Sequence, residues 1–368
     1  MSTPSFPTFV CASVAMALTL SACQQDDPGP SRQLPETYAF ENVNYAGQTT
    51  RLDMLNEIVT YAKTSNLGLH VEADVLLNMY ANQDYTWQQA DLNEATKKIA
   101  DKLDATGATQ LTQWIQELDE LSQNPGEGDA QTAGLVRSQD GSKEYLLTAE
   151  GFELAQLLEK GTMGALAYYQ ATAVYLSESK MNVDNTTVEP GEGTAMQHHW
   201  DEAFGYWGVP QAFGSADFVY DNTADYHRFW AKYTHALDEA LGVDATLMQA
   251  FIKGRDAIDR ADYATRDEAI AEVRNTWELV VAGMAIHYLK GAEENFGDQA
   301  LRNHQLSEAY GFIWSLQFNP THRISDHALQ QLLETNLSNL NTLTVADLTA
   351  AKQQLADVYG LEDKLAVL

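Results

Sequence analysis

His198-His-Trp-Asp-Glu-Ala-Phe-Gly-Tyr206 recurs further along the chain, without a gap, as His304-Gln-Leu-Ser-Glu-Ala-Tyr-Gly-Phe312. Four of the nine positions are identical, and two more exchange Phe for Tyr. Each copy is preceded by Glu, Gly and Tyr at five-residue intervals: Glu159, Gly164 and Tyr169 before the first, and Glu278, Gly283 and Tyr288 before the second. Two matches in the same order predict an internal repeat, with units at about 148–210 and 265–318 that form duplicated helical bundles related by a pseudo-twofold axis.

Apolar residues recur at helical spacing along most of the chain. In Thr50-Arg-Leu-Asp-Met-Leu-Asn-Glu-Ile-Val-Thr-Tyr-Ala62, the apolar residues fall on one face of a helix. Further helices are predicted near 70–82, 91–104, 108–122, 148–179, 194–207, 223–241, 244–262, 265–294, 298–317, 324–338 and 345–358. Sustained period-two alternation is missing from the sequence, so the predicted fold class is all-α. Long loops rich in Gly, Pro and Asp are expected near 123–145, with room for a short hairpin, and near 180–194.

The amino-terminal segment is typical of an exported lipoprotein. Residues 1–22 contain an apolar stretch too short to span a bilayer and end in small residues, as a signal peptide does. Leu20-Ser-Ala-Cys23 resembles a lipobox, which predicts lipidation at Cys23; the alternative is a plain cleavable signal with an incidental cysteine. A flexible tether at 23–36 and a helical body at 37–368 follow, and Gln24 favours the outer membrane, facing the periplasm or the cell surface.

The charge of the chain limits its partners. Fifty-two acidic and 22 basic residues give a formal net charge of −30, which repels phosphate backbones and argues against nucleic acid as a partner. The same charge attracts cations, although a solvated acidic coat is the better explanation for most of it. The sequence carries no His-Glu-x-x-His, no Gly-x-Ser-x-Gly and no phosphate loop, so an enzyme activity is not predicted.

The repeated motif carries the candidate metal ligands. His198 and Glu202 are separated by one helical turn, as are His304 and Glu308, and His199 lies three residues before Glu202. Imidazole and carboxylate together suit a metal ion such as iron or zinc. Glu159, Glu278 and His287 are further candidates from the upstream helices. The competing interpretation is that these side chains hydrogen-bond to one another inside a core. Partly exposed, converging side chains favour a metal site, and fully packed ones favour a structural role.

The motif residues also carry a family resemblance. Together with Tyr38-Ala-Phe-Glu-Asn42 and Leu157-Leu-Glu-Lys-Gly-Thr-Met-Gly164, they make the chain resemble an uncharacterised family of bacterial lipoproteins and, through it, the imelysin-like group. That resemblance implies duplicated helical bundles in the cell envelope, a link to iron uptake and a Gly-x-His-x-x-Glu motif. His199 and Glu202 match the motif, whereas Gln197 stands at its glycine position. The motif therefore favours His199 as a ligand, while the internal repeat favours His198.

Two functions follow from the sequence as hypotheses. The first is an envelope lipoprotein, attached to the membrane by its lipid, that binds a metal ion in iron acquisition or handling. The alternative is a non-catalytic interaction module that partners an outer-membrane receptor or binds polysaccharide. A metallohydrolase or peptidase ranks third because a recognisable protease motif is missing from the sequence.

Overall fold

A computed structural model of the protein describes residues 1–5 and 33–368. Residues 1–5 have no regular secondary structure, and a compact body runs from Leu34 to Leu368. Residues 6–32 lie outside the described part of the chain. They include most of the predicted signal peptide (1–22), the predicted lipidation site Cys23 and most of the predicted tether (23–36). Among the helices of the described part, none is long and apolar enough to cross a membrane.

The body is built mainly of helices, which confirms the predicted all-α class. The α-helices of the described chain are α1 (Ala46–Ala62), α2 (Ala73–Ala81), α3 (Ala105–Ser122), α4 (Leu154–Thr162), α5 (Glu178–Met181), α6 (Ala195–Gly205), α7 (Phe229–Leu241), α8 (Val243–Asp259), α9 (Tyr263–Glu294), α10 (Gln299–Ser315), α11 (Asp326–Gln331) and α12 (Val345–Tyr359). Helix α4 continues as two π-helical segments, Met163–Tyr168 and Gln170–Tyr175. Strands β1 (Gly134–Arg137) and β2 (Glu144–Leu147) form an antiparallel hairpin that begins inside the first predicted long loop, 123–145, and ends two residues beyond it.

Helix α9 lies at the centre of the body. It packs against α7, α8, α10 and α12, and its buried residues are spread around its circumference. Aspartate side chains cap the first turns of α9 and α10. Asp262, the N-cap of α9, accepts from the Thr265 N–H, and Asp298, the N-cap of α10, accepts from the Leu301 N–H. An N-cap carboxylate satisfies a backbone donor that has no partner within the helix, so these helices begin where the sequence supplies an acid.

Three of the predicted helices are wrong in part. The predicted helix 148–179 begins only at Leu154. The segment 91–104 contains only the 3₁₀ turns Ala90–Glu94 and Ala100–Lys102. Asn93 exchanges side-chain hydrogen bonds with the backbone of Trp87, and this local bonding competes with a helix. The predicted helix 223–241 begins only at Phe229, since an Asx turn at Asp221 holds the preceding residues in a loop.

Helix α6 is fixed by its apolar face. Trp200 and Phe204 are fully buried, and the Trp200 indole N–H donates to the Phe251 carbonyl of α8 at 3.0 Å. Asp201 accepts from the Tyr38 hydroxyl at 2.6 Å and from Arg255 Nε at 3.1 Å. These contacts hold the helix on one side and leave its other face for His198, His199 and Glu202.

Candidate metal centre

The start of α6 is set by a reciprocal cap. The Thr194 hydroxyl accepts from the Gln197 N–H at 3.2 Å, and the Gln197 side chain accepts from the Thr194 N–H at 2.7 Å. This capping box satisfies two backbone donors at once. Gln197, which stands where the imelysin-like motif has glycine, therefore has a structural role here. The capping box fixes where α6 begins, and so it places His198, His199 and Glu202 near the start of the helix.

Both histidines of α6 face the same carboxylate oxygen. Glu202 Oε2 lies 3.3 Å from His199 Nδ1 and 3.8 Å from His198 Nε2. The three side chains are partly exposed, at 26% for His198, 18% for His199 and 17% for Glu202. Glu192, from the preceding loop, brings a second carboxylate oxygen to 3.9 Å from His198 Nε2. The structure therefore brings both candidate histidines to Glu202 and does not choose between them.

The other oxygen of Glu202 is held by neighbouring helices. Glu202 Oε1 accepts from Gln48 Nε2 of α1 and from the Tyr175 hydroxyl, each at 2.9 Å. Burial raises the pKa of Glu202, but hydrogen bonds from His199 and Gln48 outweigh it and lower the pKa to about 2. The carboxylate is therefore ionised and oriented, with Oε2 directed toward the two imidazoles.

The second copy of the motif contains a buried lysine. Lys160 Nζ lies 3.0 Å from Glu159 Oε1 and 3.0 Å from Glu308 Oε1, and its side chain is 1% exposed. Lys63 pairs with Glu159 from the outer side. Burial lowers the pKa of Lys160, but the two carboxylates outweigh it and raise the pKa above its usual value. The ammonium group therefore occupies the space between the two predicted ligands.

His304 joins the same buried network. Its Nδ1 lies 2.5 Å from Glu153 Oε2, and its Nε2 lies 3.5 Å from Glu308 Oε2. Burial lowers the pKa of His304, but Glu153 and Glu308 outweigh it and raise the pKa above 6.5. His304, Glu308 and Glu159 thus belong to one network of ion pairs, in which cations of the chain itself lie between the carboxylates.

Two further candidates lie elsewhere. Glu278 is fully buried and accepts hydrogen bonds from Asn319, the Tyr359 hydroxyl and the Arg323 N–H at 2.6–2.7 Å. His287 Nδ1 lies 2.5 Å from the backbone oxygen of Leu368. Within the described part of the chain, neither residue hydrogen-bonds to a member of the other two clusters. Glu278 therefore has the surroundings of a structural carboxylate.

The two copies of the motif share one local contact. A Cβ at Gly205 would lie 3.1 Å from the Gln48 Cβ, and one at Gly311 would lie 2.5 Å from the Lys160 Cβ. In each copy, the helix that approaches the glycine also supplies the side chain that hydrogen-bonds to the glutamate three residues earlier. The glycines therefore serve close helix packing. Superposition of the two repeat units stays a prediction.

Lys160 and Gln48 were not identified as site residues from the sequence. Lys160 directly follows Glu159, but the side chains of adjacent helical residues point in different directions. Gln48 lies at the start of α1, far from the motif in sequence, and carries no distinguishing pattern.

Over residues 1–5 and 33–368, no group of three or more His, Cys, Asp or Glu side chains is arranged to hold a metal ion.

Comparison with known proteins identifies the family. No curated protein and no solved structure matches the chain significantly. A family profile described as a domain of unknown function, DUF4856, matches residues 35–361. This match covers nearly the whole compact body and agrees with the prediction of an uncharacterised family. The chain belongs to the DUF4856 family.

Proposed function

We propose that this protein is a cell-envelope lipoprotein that binds a metal ion, iron or zinc, through His198, His199 and Glu202, and that it serves in iron acquisition or handling. The observation that carries the proposal is the approach of two imidazole nitrogens to one ionised carboxylate oxygen on a partly exposed helix face. This mixed nitrogen and oxygen set suits iron and zinc. The envelope and iron parts rest on the lipobox at Cys23 and on the imelysin-like His199-x-x-Glu202 pattern.

One pair of donor atoms has the spacing found in a coordination sphere. Metal–ligand bonds of about 2.1 Å place neighbouring donors about 3.0–3.4 Å apart. His199 Nδ1 already lies 3.3 Å from Glu202 Oε2, whereas His198 Nε2, at 3.8 Å, requires a small rotation of its ring. His198 Nδ1 is buried without a hydrogen-bond partner within the described chain, so no hydrogen bond of that nitrogen opposes the rotation.

Neighbouring side chains support the carboxylate as they do in metal sites. Gln48 and Tyr175 hydrogen-bond to the Glu202 oxygen that would not bind the metal. Such outer partners orient a ligand and commonly change metal affinity by 10–100-fold when they are removed. Gln48 is neutral, whereas its counterpart Lys160 in the second copy is a cation. The first copy is therefore the one we assign to the metal.

A matched pair of variants tests the metal site. Glu202→Gln should abolish binding of Zn²⁺ or Fe²⁺, measured by calorimetric titration of protein purified without a His tag. It should lower the melting temperature of the metal-free protein less than Glu308→Gln does, because Glu202 is more exposed than Glu308 and Gln keeps an oxygen that can accept from Gln48 and Tyr175. Glu308→Gln should keep the metal and lower the melting temperature, because it leaves Lys160 short of a partner. Unchanged metal affinity in Glu202→Gln would refute the assignment.

Membrane attachment is tested separately. Cys23→Ala should prevent acylation and leave the protein unanchored, which fractionation and lipid labelling would detect. Normal membrane anchoring of that variant would contradict the lipoprotein assignment without affecting the metal site.

A cleft lined by both polar and apolar side chains favours the second candidate function, an interaction module that binds polysaccharide or an outer-membrane receptor. This cavity of about 890 Å³ lies between α1, the end of α6 and the loop before α7. Its lining includes Tyr45, Asn56, Gln89 and the ion pair of Asp53 with Arg228. Amides, an aromatic ring and an ion pair suit hydroxyl-rich ligands, so oligosaccharide binding that Asn56→Ala weakens and Glu202→Gln spares would support this function.

A further inference from the structure

A second cavity lies beside α7 and the loop that precedes this helix. It has a volume of about 700 Å³, and the side chains that line it include Tyr220, His227, Lys232 and His235. The loop residue His227 also lines the cleft next to α1, so the loop borders both spaces. Lys232 and His235 are three residues apart on α7, and residues at that spacing share a helix face, with Cβ atoms about 5–6 Å apart. The α7 cavity therefore collects basic side chains from one helix face and one loop.

The imidazole of His235 is fixed on two sides. Its Nδ1 lies 2.7 Å from Asp244 Oδ2, and the Tyr220 ring stacks on it with the ring centroids 3.6 Å apart. Asp244 is buried, and its Oδ1 has no hydrogen-bond partner within the described chain. Burial raises the pKa of Asp244 to about 6, so the carboxylate is ionised at pH 7. A buried carboxylate needs a cation beside it, and His235 supplies that charge as an imidazolium, which also donates from Nε2.

A second imidazole contacts the same tyrosine. His227 Nδ1 lies 2.9 Å from the Tyr220 hydroxyl oxygen. Burial raises the pKa of Tyr220, so the hydroxyl keeps its proton and donates it to Nδ1. Burial, and then the charges of Lys232 and His235, lower the pKa of His227, so this ring is neutral at pH 7 and carries its proton on Nε2. Each imidazole thus uses Nδ1 within the fold and keeps its Nε2–H for a ligand in the cavity.

Lys232 adds a third donor. Its ammonium group has no ion-pair partner in the part of the chain that the structure describes, and it lies 5.2 Å from the centre of the Tyr233 ring. Among the described residues that line the cavity, only Asp221 carries a carboxylate. Asp221 Oδ1 already accepts from the Thr223 N–H at 2.8 Å and from the Thr223 hydroxyl at 2.7 Å. The ionisable groups that remain open to a ligand are therefore mainly donors.

Three donors along one cavity, two of them cationic, suit an oxyanion. We infer that the α7 cavity binds a small organic anion, whose carboxylate or phosphate group accepts from His227, Lys232 and His235. Val219 lies on the same wall with 83% of its side chain exposed, and it offers an apolar contact to the organic part of the ligand. A volume of about 700 Å³ is in the range of small-molecule sites. This site is separate from the histidines of α6 and does not depend on a metal.

Calorimetric titration with phenyl phosphate and with benzoate tests the inference. The two probes carry a phosphate and a carboxylate on the same ring, so they distinguish the two kinds of anion, and benzyl alcohol is the uncharged probe. We expect one of the anions to bind saturably in a one-to-one ratio, and benzyl alcohol to bind at least about tenfold more weakly. Failure of both anions to bind saturably, or equal binding of benzyl alcohol, would overturn the inference.

Substitutions of Lys232 place the anion in this cavity. Lys232→Met should weaken binding of the anion about tenfold, because it removes one of the two cations, whereas Lys232→Arg should retain it. Lys253→Met is the control: it makes the same change of charge at a lysine that pairs with Glu268 and Glu272, and it should leave the affinity unchanged. An equal affinity in Lys232→Met and Lys253→Met would contradict the site.

Histidine ring resonances give a second measurement that needs no stability assumption. Assigned by single His→Gln variants, the NMR signals of His227 and His235 should shift as the anion is added to wild-type protein. The signal of His70, which pairs with Asp119, should stay in place. Shifts confined to other histidines would locate the anion elsewhere and overturn the inference. Neither this result nor the calorimetry bears on Zn²⁺ binding, so the metal site stands or falls by its own test.

Discussion

Replacing Lys160 with Met should destabilise the protein strongly. The ammonium group lies 3.0 Å from Glu159 Oε1, Glu308 Oε1 and Gln156 Oε1, and the side chain is almost fully buried. Met has a similar length but no charge, so the variant leaves two buried carboxylates without their shared cation. Breaking a buried ion pair by removing one partner costs about 3–5 kcal/mol. Lys63 still neutralises Glu159, so we expect a loss near 3 kcal/mol.

The free energy of unfolding would be measured by urea denaturation followed by tryptophan fluorescence. Lys63→Met is the control, because Lys63 is 38% exposed and its ion pair with Glu159 should contribute at most about 1 kcal/mol. The deficit of Lys160→Met should shrink as the pH falls from 7 to 5. Without the lysine, burial raises the pKa of the carboxylates in the folded state, so acidification favours the folded variant.

A double variant decides whether charge is the cause. Lys160→Met combined with Glu308→Gln removes the carboxylate that the lysine leaves unpaired, so it should be more stable than Lys160→Met alone. A loss in Lys160→Met no larger than in Lys63→Met, or the absence of any recovery in the double variant, would show that Lys160 does not balance the buried carboxylates.

Three further changes test the surroundings of the two clusters. The pKa of His304 is raised in the folded protein, so its charged imidazole stabilises the fold fully below pH 6.5. This stabilisation is lost as the pH rises through the folded-state pKa. The melting temperature of His304→Gln should therefore differ more from that of wild type at pH 6 than at pH 9. Gly205→Ala places a Cβ 2.4 Å from the Tyr45 Cβ and should cost about 1–3 kcal/mol in urea denaturation, and an unchanged midpoint would contradict the close packing. Glu278→Gln should lower the melting temperature, at a cost of about 1–3 kcal/mol, without changing Zn²⁺ affinity; a lost affinity would return Glu278 to the list of ligands.

Helix content and helix starts followed from local sequence. The apolar period predicted most helices, and the acids at Asp262 and Asp298 begin α9 and α10 because a cap acts within one turn. The errors at 91–104 and 223–228 have a local cause too, since side chains such as Asn93 and Asp221 bond to nearby backbone in place of a helix. Propensity alone does not show which of these competing local hydrogen bonds forms.

That His198 and His199 can meet Glu202 follows from spacing along the chain alone, because residues three and four apart share a helix face whatever surrounds the helix. Spacing does not show whether a neutral or a charged side chain contacts Oε1 of Glu202 and of Glu308. That charge depends on which helix approaches Gly205 or Gly311, and those helices come from distant parts of the chain. Packing set Gln48 beside Glu202 and Lys160 beside Glu308. Only the tertiary structure therefore distinguishes the two copies of the motif: Glu202 is partly exposed beside a neutral amide, whereas Glu308 is buried beside a lysine. The reason is that packing geometry, and not spacing along the chain, selects the residue that lies across a helix interface.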